Sequence, residues 1–157
     1  WSNSPNGGFC PPGVTPWLPV NPNFTEGVNV ADQQQDPGSL LNFYKRLLRV
    51  RRATPALIYG DYTSLHEQAD NYLAFVREVP GEEKACLVVL SYSDEALIVS
   101  FDLPGRTARL VFSSQSQRTQ ADPLNEIKLE PFEIYIAELT KEGPINGYKR
   151  THRSPGS

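Results

Sequence analysis

The chain has 157 residues, a formal net charge of −3 and 39% apolar residues. That is enough for one domain with a real core, or for a small domain carrying an arm. The charge makes no electrostatic case for nucleic acid or an anionic membrane, and no run reads as a membrane span or a secretory leader.

The chain starts at Trp1 and contains no Met, so it reads as a piece of something longer. Its two cysteines, Cys10 and Cys86, make neither a disulfide framework nor a metal site, and Cys86 reads as a small core residue. Asn23-Phe24-Thr25 matches a glycosylation sequon, which has meaning only in a secreted protein and is taken as chance. The compartment is open, leaning to the cytoplasm.

Residues 1–35 hold six of the fourteen prolines, with Gly7, Gly8, Gly13 and Gly27 among them. Such a stretch predicts a long irregular loop. It is too apolar for a disordered linker, with Trp1, Phe9, Trp17, Leu18, Phe24 and Val30. It reads as an arm clamped to a larger body, ahead of a ligand-contacting loop. Residues 36–54 then give the clearest helix. Leu40, Leu41, Tyr44, Leu47 and Leu48 fall at helical spacing, with Phe43 and Val50 widening the stripe. Asp36 is the expected N-cap, Pro37 fits the first turn, and Pro55 ends the helix.

From residue 57 the pattern turns to period two. Strands are predicted over residues 59–65 (interrupted by Gly60), 72–76, 84–92, 97–101 and 108–112, then around Ile127–Leu129 and over residues 132–137. The unbroken run Cys86-Leu87-Val88-Val89-Leu90 predicts a central strand covered on both faces. Residues 113–125 read as a polar loop, and residues 141–157 as a frayed basic tail. About seven short strands with frequent turns predict an antiparallel sandwich or barrel.

Little chemistry is legible. His66, in a strand region, and His152, in the tail, are the only histidines, and no nucleophilic triad, metal cluster or phosphate loop can be assembled. No cofactor is expected. Glu82-Glu83 and Asp94-Glu95 read as solvated turns, and Arg51-Arg52 as a solvated helix end. Tyr59, Tyr62, Tyr72 and Tyr92 would form any sugar-binding face of the β region, although half-buried strand positions account for them better.

Three stretches carry a resemblance. WSNSPNGGF (residues 1–9), followed by PWLPVNPNF (16–24) and VNV (28–30), is similar to a loop of the glycoside hydrolase family 13 α-glucosidases. DPGSLLNFYKRLLRVRRATPALIYGDY (36–62) resembles the last barrel helix of those enzymes and its exit. LVVLSYS (87–93) and LEPFEIYI (129–136) are similar to strands of their C-terminal domain. The resemblance implies that residues 1–55 end a (β/α)8 catalytic barrel, as its last loop (1–35) and helix (36–54). It also implies that residues 56–140 form an all-β Greek-key sandwich, followed by a flexible tail over 141–157. Loops after barrel strands face the active site, so the arm would border a sugar pocket.

The family hydrolyses α-glucosidic bonds with retention, using two carboxylates about 5 Å apart. Those residues would come from earlier strands, so no catalytic residue is assigned here. Trp1 and Trp17 match motif positions and are the candidate substrate contacts, read as packing residues first. Trp1-Ser2 and Asn6-Gly7-Gly8-Phe9 stand where family members commonly have Trp-Asp and Asn-Ala-Gly-Phe. A carbohydrate-binding or scaffold β module, or a non-catalytic transporter heavy chain of the same fold, are the alternatives. The implied partners are α-glucoside oligosaccharides and the rest of the barrel. On its own the chain is expected to be inactive, and to fold its apolar helix face onto the sandwich or self-associate.

Overall fold

The computed structural model describes residues 1–141. The expected basic tail beyond Lys141 lies outside them, as does His152. The chain divides into two compact units, Trp1–Thr54 and the residues from Pro55 onward.

The first unit contains more helix than its sequence pattern predicts. Two 3-10 turns, Pro5–Gly8 and Pro22–Glu26, interrupt the arm, and a six-residue helix α1 (Val30–Gln35) follows. The expectation of loop throughout residues 1–35 is therefore corrected. The physical cause is capping rather than periodicity. Asn29 Oδ1 accepts from the Asp32 amide at 2.9 Å, while its Nδ2 donates to the Phe24 carbonyl at 2.8 Å. One side chain thus satisfies the open end of a helix too short to show an apolar repeat.

The long helix α2 runs Leu40–Ala53, and its N-cap is Ser39 rather than Asp36. Ser39 Oγ accepts from the Asn42 amide at 3.2 Å and donates to the Gln33 carbonyl at 2.7 Å. Asp36 instead accepts from the Gly38 amide at 2.8 Å, so Pro37 and Gly38 form a turn ahead of the helix. Asn42 Nδ2 donates to the carbonyls of Gln33 and Asp36, joining α1 to α2. Thr54 is extended (φ −118°, ψ 95°), as a residue before proline should be. The only buried side chains in this unit are polar: Asn29, 1% exposed, and Ser39, 8% exposed. Leu40, Tyr44 and Leu48, one stripe of α2, lie in water, and Leu41 and Leu47 are half-buried.

The second unit begins with a short helix α3 (Pro55–Tyr59), where a strand was expected to start. Gly60 closes it: its amide donates to the Ala56 carbonyl at 3.0 Å. A Cβ at this position would stand 2.6 Å from that oxygen and 2.8 Å from the Glu78 nitrogen, so only glycine fits. The strands are β1 (Asp61–Leu65), β2 (Tyr72–Glu78), β3 (Lys84–Ser91), β4 (Leu97–Val99), β5 (Arg106–Ser113), β6 (Ile127–Leu129) and β7 (Ile134–Lys141).

All pairings are antiparallel. Five strands form one sheet in the order β1-β2-β3-β7-β5, and β4 pairs with β6 separately. Leu87, Val89, Tyr135, Ala137 and Leu139 of the large sheet share one apolar cluster with Val99, Ile127 and Leu129 of the small one. The small pair therefore covers one face of the large sheet. α3 packs against β2 and β3. The central place and continuous burial of β3 match the reading of its apolar run.

Unbroken alternation along β5 would put Ala108, Leu110 and Phe112 on one face, but a bulge prevents it. Leu110 pairs with Ala137, but Phe112 pairs with Ile136, so the extra residue turns Phe112 to the opposite side. His66 is also displaced from the expected strand. It sits at φ 52° in the turn after β1, with its ring stacked on Phe101 (5.0 Å between centroids) and Nδ1 2.6 Å from the Tyr72 hydroxyl.

Candidate functional site

The arm forms an open pocket of about 730 Å³ lined by Trp1, Phe9, Cys10, Trp17, Leu18 and Val20, among others. Backbone geometry builds it. Asn6 and Gly7 both adopt left-handed conformations (φ 59° and 65°), which reverse the chain so that Phe9 meets Trp1 at 6.0 Å between ring centroids. A Cβ on Gly7 would press within 3.2 Å of the Phe9 ring and 3.3 Å of Val20. Asn6 Nδ2 then donates to the carbonyls of Pro11 (3.2 Å) and Val14 (2.9 Å), pinning the loop that carries Cys10. The Trp1 carbonyl accepts from the Ala31 amide at 3.0 Å, which ties the first residue to α1.

Trp1 is half-exposed, and Trp17 is 91% exposed. Within this chain the Trp17 indole stands in water. Aromatic walls with few polar groups suit the apolar faces of a small ring-shaped ligand. Within residues 1–35 the carboxylates are Glu26, which is exposed, and Asp32, whose Oδ2 accepts from Asn29 Nδ2 at 2.6 Å. Among the described residues, no three His, Cys, Asp or Glu side chains come together as metal ligands.

In the β unit, Tyr59, Tyr62 and Tyr92 are exposed, while Tyr72 is half-buried. The expectation of half-buried tyrosines thus holds for Tyr72 alone. Tyr62 packs against Phe75 at 5.0 Å. Glu82, Glu83, Asp94 and Glu95 are all exposed, as read. Burial pushes the Cys86 thiol up to about 12, with the Glu138 charge acting in the same direction, so this cysteine is inert packing.

Sequence reasoning missed a charge cluster around the loop at residues 114–126. Glu133 is fully buried, is paired with Arg118 Nε at 2.7 Å, and accepts from Arg118 Nη2 at 3.1 Å, from Ser113 Oγ at 2.6 Å and from the Glu130 amide at 2.9 Å. Arg118 Nη1 donates to Asp122 at 2.9 Å, and its Nη2 also donates to the Lys128 carbonyl. Burial tends to raise the Asp122 pKa, but the Lys128 amide and the Arg118 guanidinium outweigh it and hold the carboxyl below its ordinary value. A single Arg118 in a polar loop and a Glu133 eleven residues after Asp122 carry no sequence signal of burial, because only the fold brings them together.

Comparison with known proteins follows the same division. Residues 1–60 match the family of the α-amylase catalytic domain. The chain is 31% identical to an oligo-1,6-glucosidase of Parageobacillus thermoglucosidasius over 143 residues, covering 88% of this chain and 24% of that protein. An α-glucosidase of Saccharomyces cerevisiae (MAL12) is 37% identical over 112 residues, covering 70% of this chain and 18% of the yeast protein. Among solved structures, the trehalulose synthase MutB from Pseudomonas mesoacidophila superposes with a TM-score of 0.75 at 31% identity, covering 89% of this chain and 24% of that one. The trehalose-6-phosphate hydrolase of Bacillus licheniformis shares the fold, with a TM-score of 0.73 at 24% identity, covering 90% of this chain and 25% of that one. The chain belongs to glycoside hydrolase family 13, the α-amylase superfamily, and spans about a quarter of the length of the relatives it matches.

Proposed function

We propose that the chain is the C-terminal part of an α-glucosidase-like hydrolase that cleaves α-glucosidic bonds of small oligosaccharides with retention. Residues 1–55 complete the catalytic barrel, with residues 1–35 as a loop bordering the sugar site and 36–54 as its last outer helix. Residues 56–140 form a Greek-key β-sandwich that stabilises it. The catalytic carboxylates come from elsewhere in the protein, and Trp1 and Trp17 border the substrate. The observation that carries this reading is the inverted burial of Trp1–Thr54: Trp17, Leu18, Leu40 and Tyr44 are exposed, its other large apolar side chains are at most half-buried, and its buried side chains are polar. A segment with that pattern is half of an interface. The match of residues 1–60 to a catalytic-domain family supports the identity of the other half.

The test is hydrolysis of p-nitrophenyl α-glucoside. The 157-residue chain alone should release no p-nitrophenol, and the chain joined to its upstream sequence should. Turnover by the chain alone would overturn the assignment of the carboxylates.

A second reading draws on the exposure of Tyr59, Tyr62 and Tyr92. As a carbohydrate-binding module, the β unit would take maltooligosaccharides on those rings. Calorimetric titration separates the two: heat of binding lost on Tyr62→Ala favours the module, and a flat trace removes it.

A further inference from the structure

We infer that residues 114–126 are a strap latched shut by the buried Glu133 carboxylate, and that neutralising this one charge releases the strap from the side of the β core. By composition the segment is a polar connection, and by secondary structure it is neither helix nor strand. Such segments are ordinarily mobile. Here it is tied at both ends and in the middle. The Ser114 amide donates to the Ile134 carbonyl at 3.0 Å, the Phe101 amide to the Leu124 carbonyl at 2.8 Å, and the Lys128 amide to Asp122 Oδ2 at 2.8 Å.

Arg118 makes the central tie. Its side chain is 14% exposed, its guanidinium bonds both Asp122 and Glu133, and its Cζ lies 5.4 Å from the centre of the Tyr135 ring. Glu133 reaches the cluster through a turn that places Phe132 in the left-handed region at φ 54°. That backbone conformation is unfavourable for a bulky residue and persists only where its surroundings impose it. The two oxygens of Glu133 take three hydrogen bonds, one of them from the strap's own arginine, whose Nε also lies 2.7 Å from Oε1 as an ion pair.

A buried carboxylate is tolerated only with partners of this quality. Remove its charge, and Arg118 is left buried beside a weaker acceptor. Swinging the strap out, so that the guanidinium regains water, then costs less than keeping it in. The apolar contact holding the strap down is small: Ala121 and Leu124 pack on the core cluster only as partly buried residues. Residues 121–125 also form one wall of an open cleft of about 520 Å³, so release would widen it.

Hydrogen exchange read by mass spectrometry on the 157-residue chain at neutral pH tests this. In the natural sequence, peptides covering 114–126 should exchange slowly, like those of the sheet. In Glu133→Gln the strap should exchange about a hundredfold faster while β3 and β7 keep their protection. Ser113→Ala, which removes one donor, should give a smaller increase in the same peptides and decides the matter if Glu133→Gln does not fold. The latch is overturned if the natural strap already exchanges as fast as the exposed turn at residues 80–83. It is equally overturned if strap and sheet lose protection together in Ser113→Ala.

Discussion

Leu87, at the centre of β3, is fully buried, while Leu40, at the start of α2, is mostly in water. The contrast runs through the two units. The β unit encloses Leu87, Val89, Leu129, Leu139 and Tyr135 and displays Lys84, Arg109 and Lys128, with Ile98 and Phe132 among its few exposed apolar residues. Trp1–Thr54 displays Trp1, Phe9, Trp17, Leu40 and Tyr44 and encloses only Asn29 and Ser39. The first arrangement is stabilised by burial of apolar area. The second is held by hydrogen bonds to its own backbone, through Asn6, Asn29, Gln33, Ser39 and Asn42. An amide network can fix a shape, but it supplies little net free energy. A shape held that way stays ready to present its apolar side to a partner.

The largest expected effect lies in the β core. Leu87→Ala should cost about 2–5 kcal/mol in urea unfolding, whereas Leu40→Ala should stay within about 0.5 kcal/mol in the same chain. Equal costs would erase the distinction between the units. Gly60→Ala, which forces a Cβ against the Ala56 carbonyl, should destabilise by about 1–3 kcal/mol or more; an unchanged urea midpoint would show that α3 and β2 can move apart.

In the first unit, Asn29→Ala should loosen α1 by about 1–2 kcal/mol, seen as faster amide exchange over Val30–Gln35 and not in the sheet. Acid acts on the β unit by a known sign. The Asp122 and Glu138 carboxyls are both held below their ordinary values, burial opposing and paired cations prevailing. Their stabilisation is present above the unfolded-state value of about 4 and fades as pH falls through the lower folded values. Circular dichroism of the β signal should therefore weaken below about pH 4 and stay flat from pH 5 to 8. The smallest signal is association. The exposed stripe of α2 should make apparent mass in light scattering rise with concentration, and Leu40→Glu with Tyr44→Glu should abolish the rise.

Periodic segments were the legible part. The stripe of α2, the apolar run of β3 and the strand expected over residues 132–137 were each legible as elements, but not the inward side of the last, where Glu133 and Tyr135 are buried and Phe132 is exposed. Less was legible where one side chain settled the outcome. Asp36 and Ser39 are both good caps, and Ser39 prevailed because its hydroxyl also reaches Gln33 in the preceding helix. The bulge before Phe112 depends on its partner strand, which alternation cannot anticipate. Of the candidate site, Trp1 and Trp17 were named from a motif, while the Asn6–Gly7 reversal that gathers Phe9 beside Trp1 needed coordinates.

By itself the sequence determined the order arm, helix and antiparallel strands, because local backbone chemistry and apolar spacing are properties of neighbours along the chain. Only the tertiary structure decided which apolar residues are inside, where Arg118 and Glu133 meet, and that the first unit shows its hydrophobic side to water. Burial and charge pairing are set by residues far apart in sequence, and no local pattern records them.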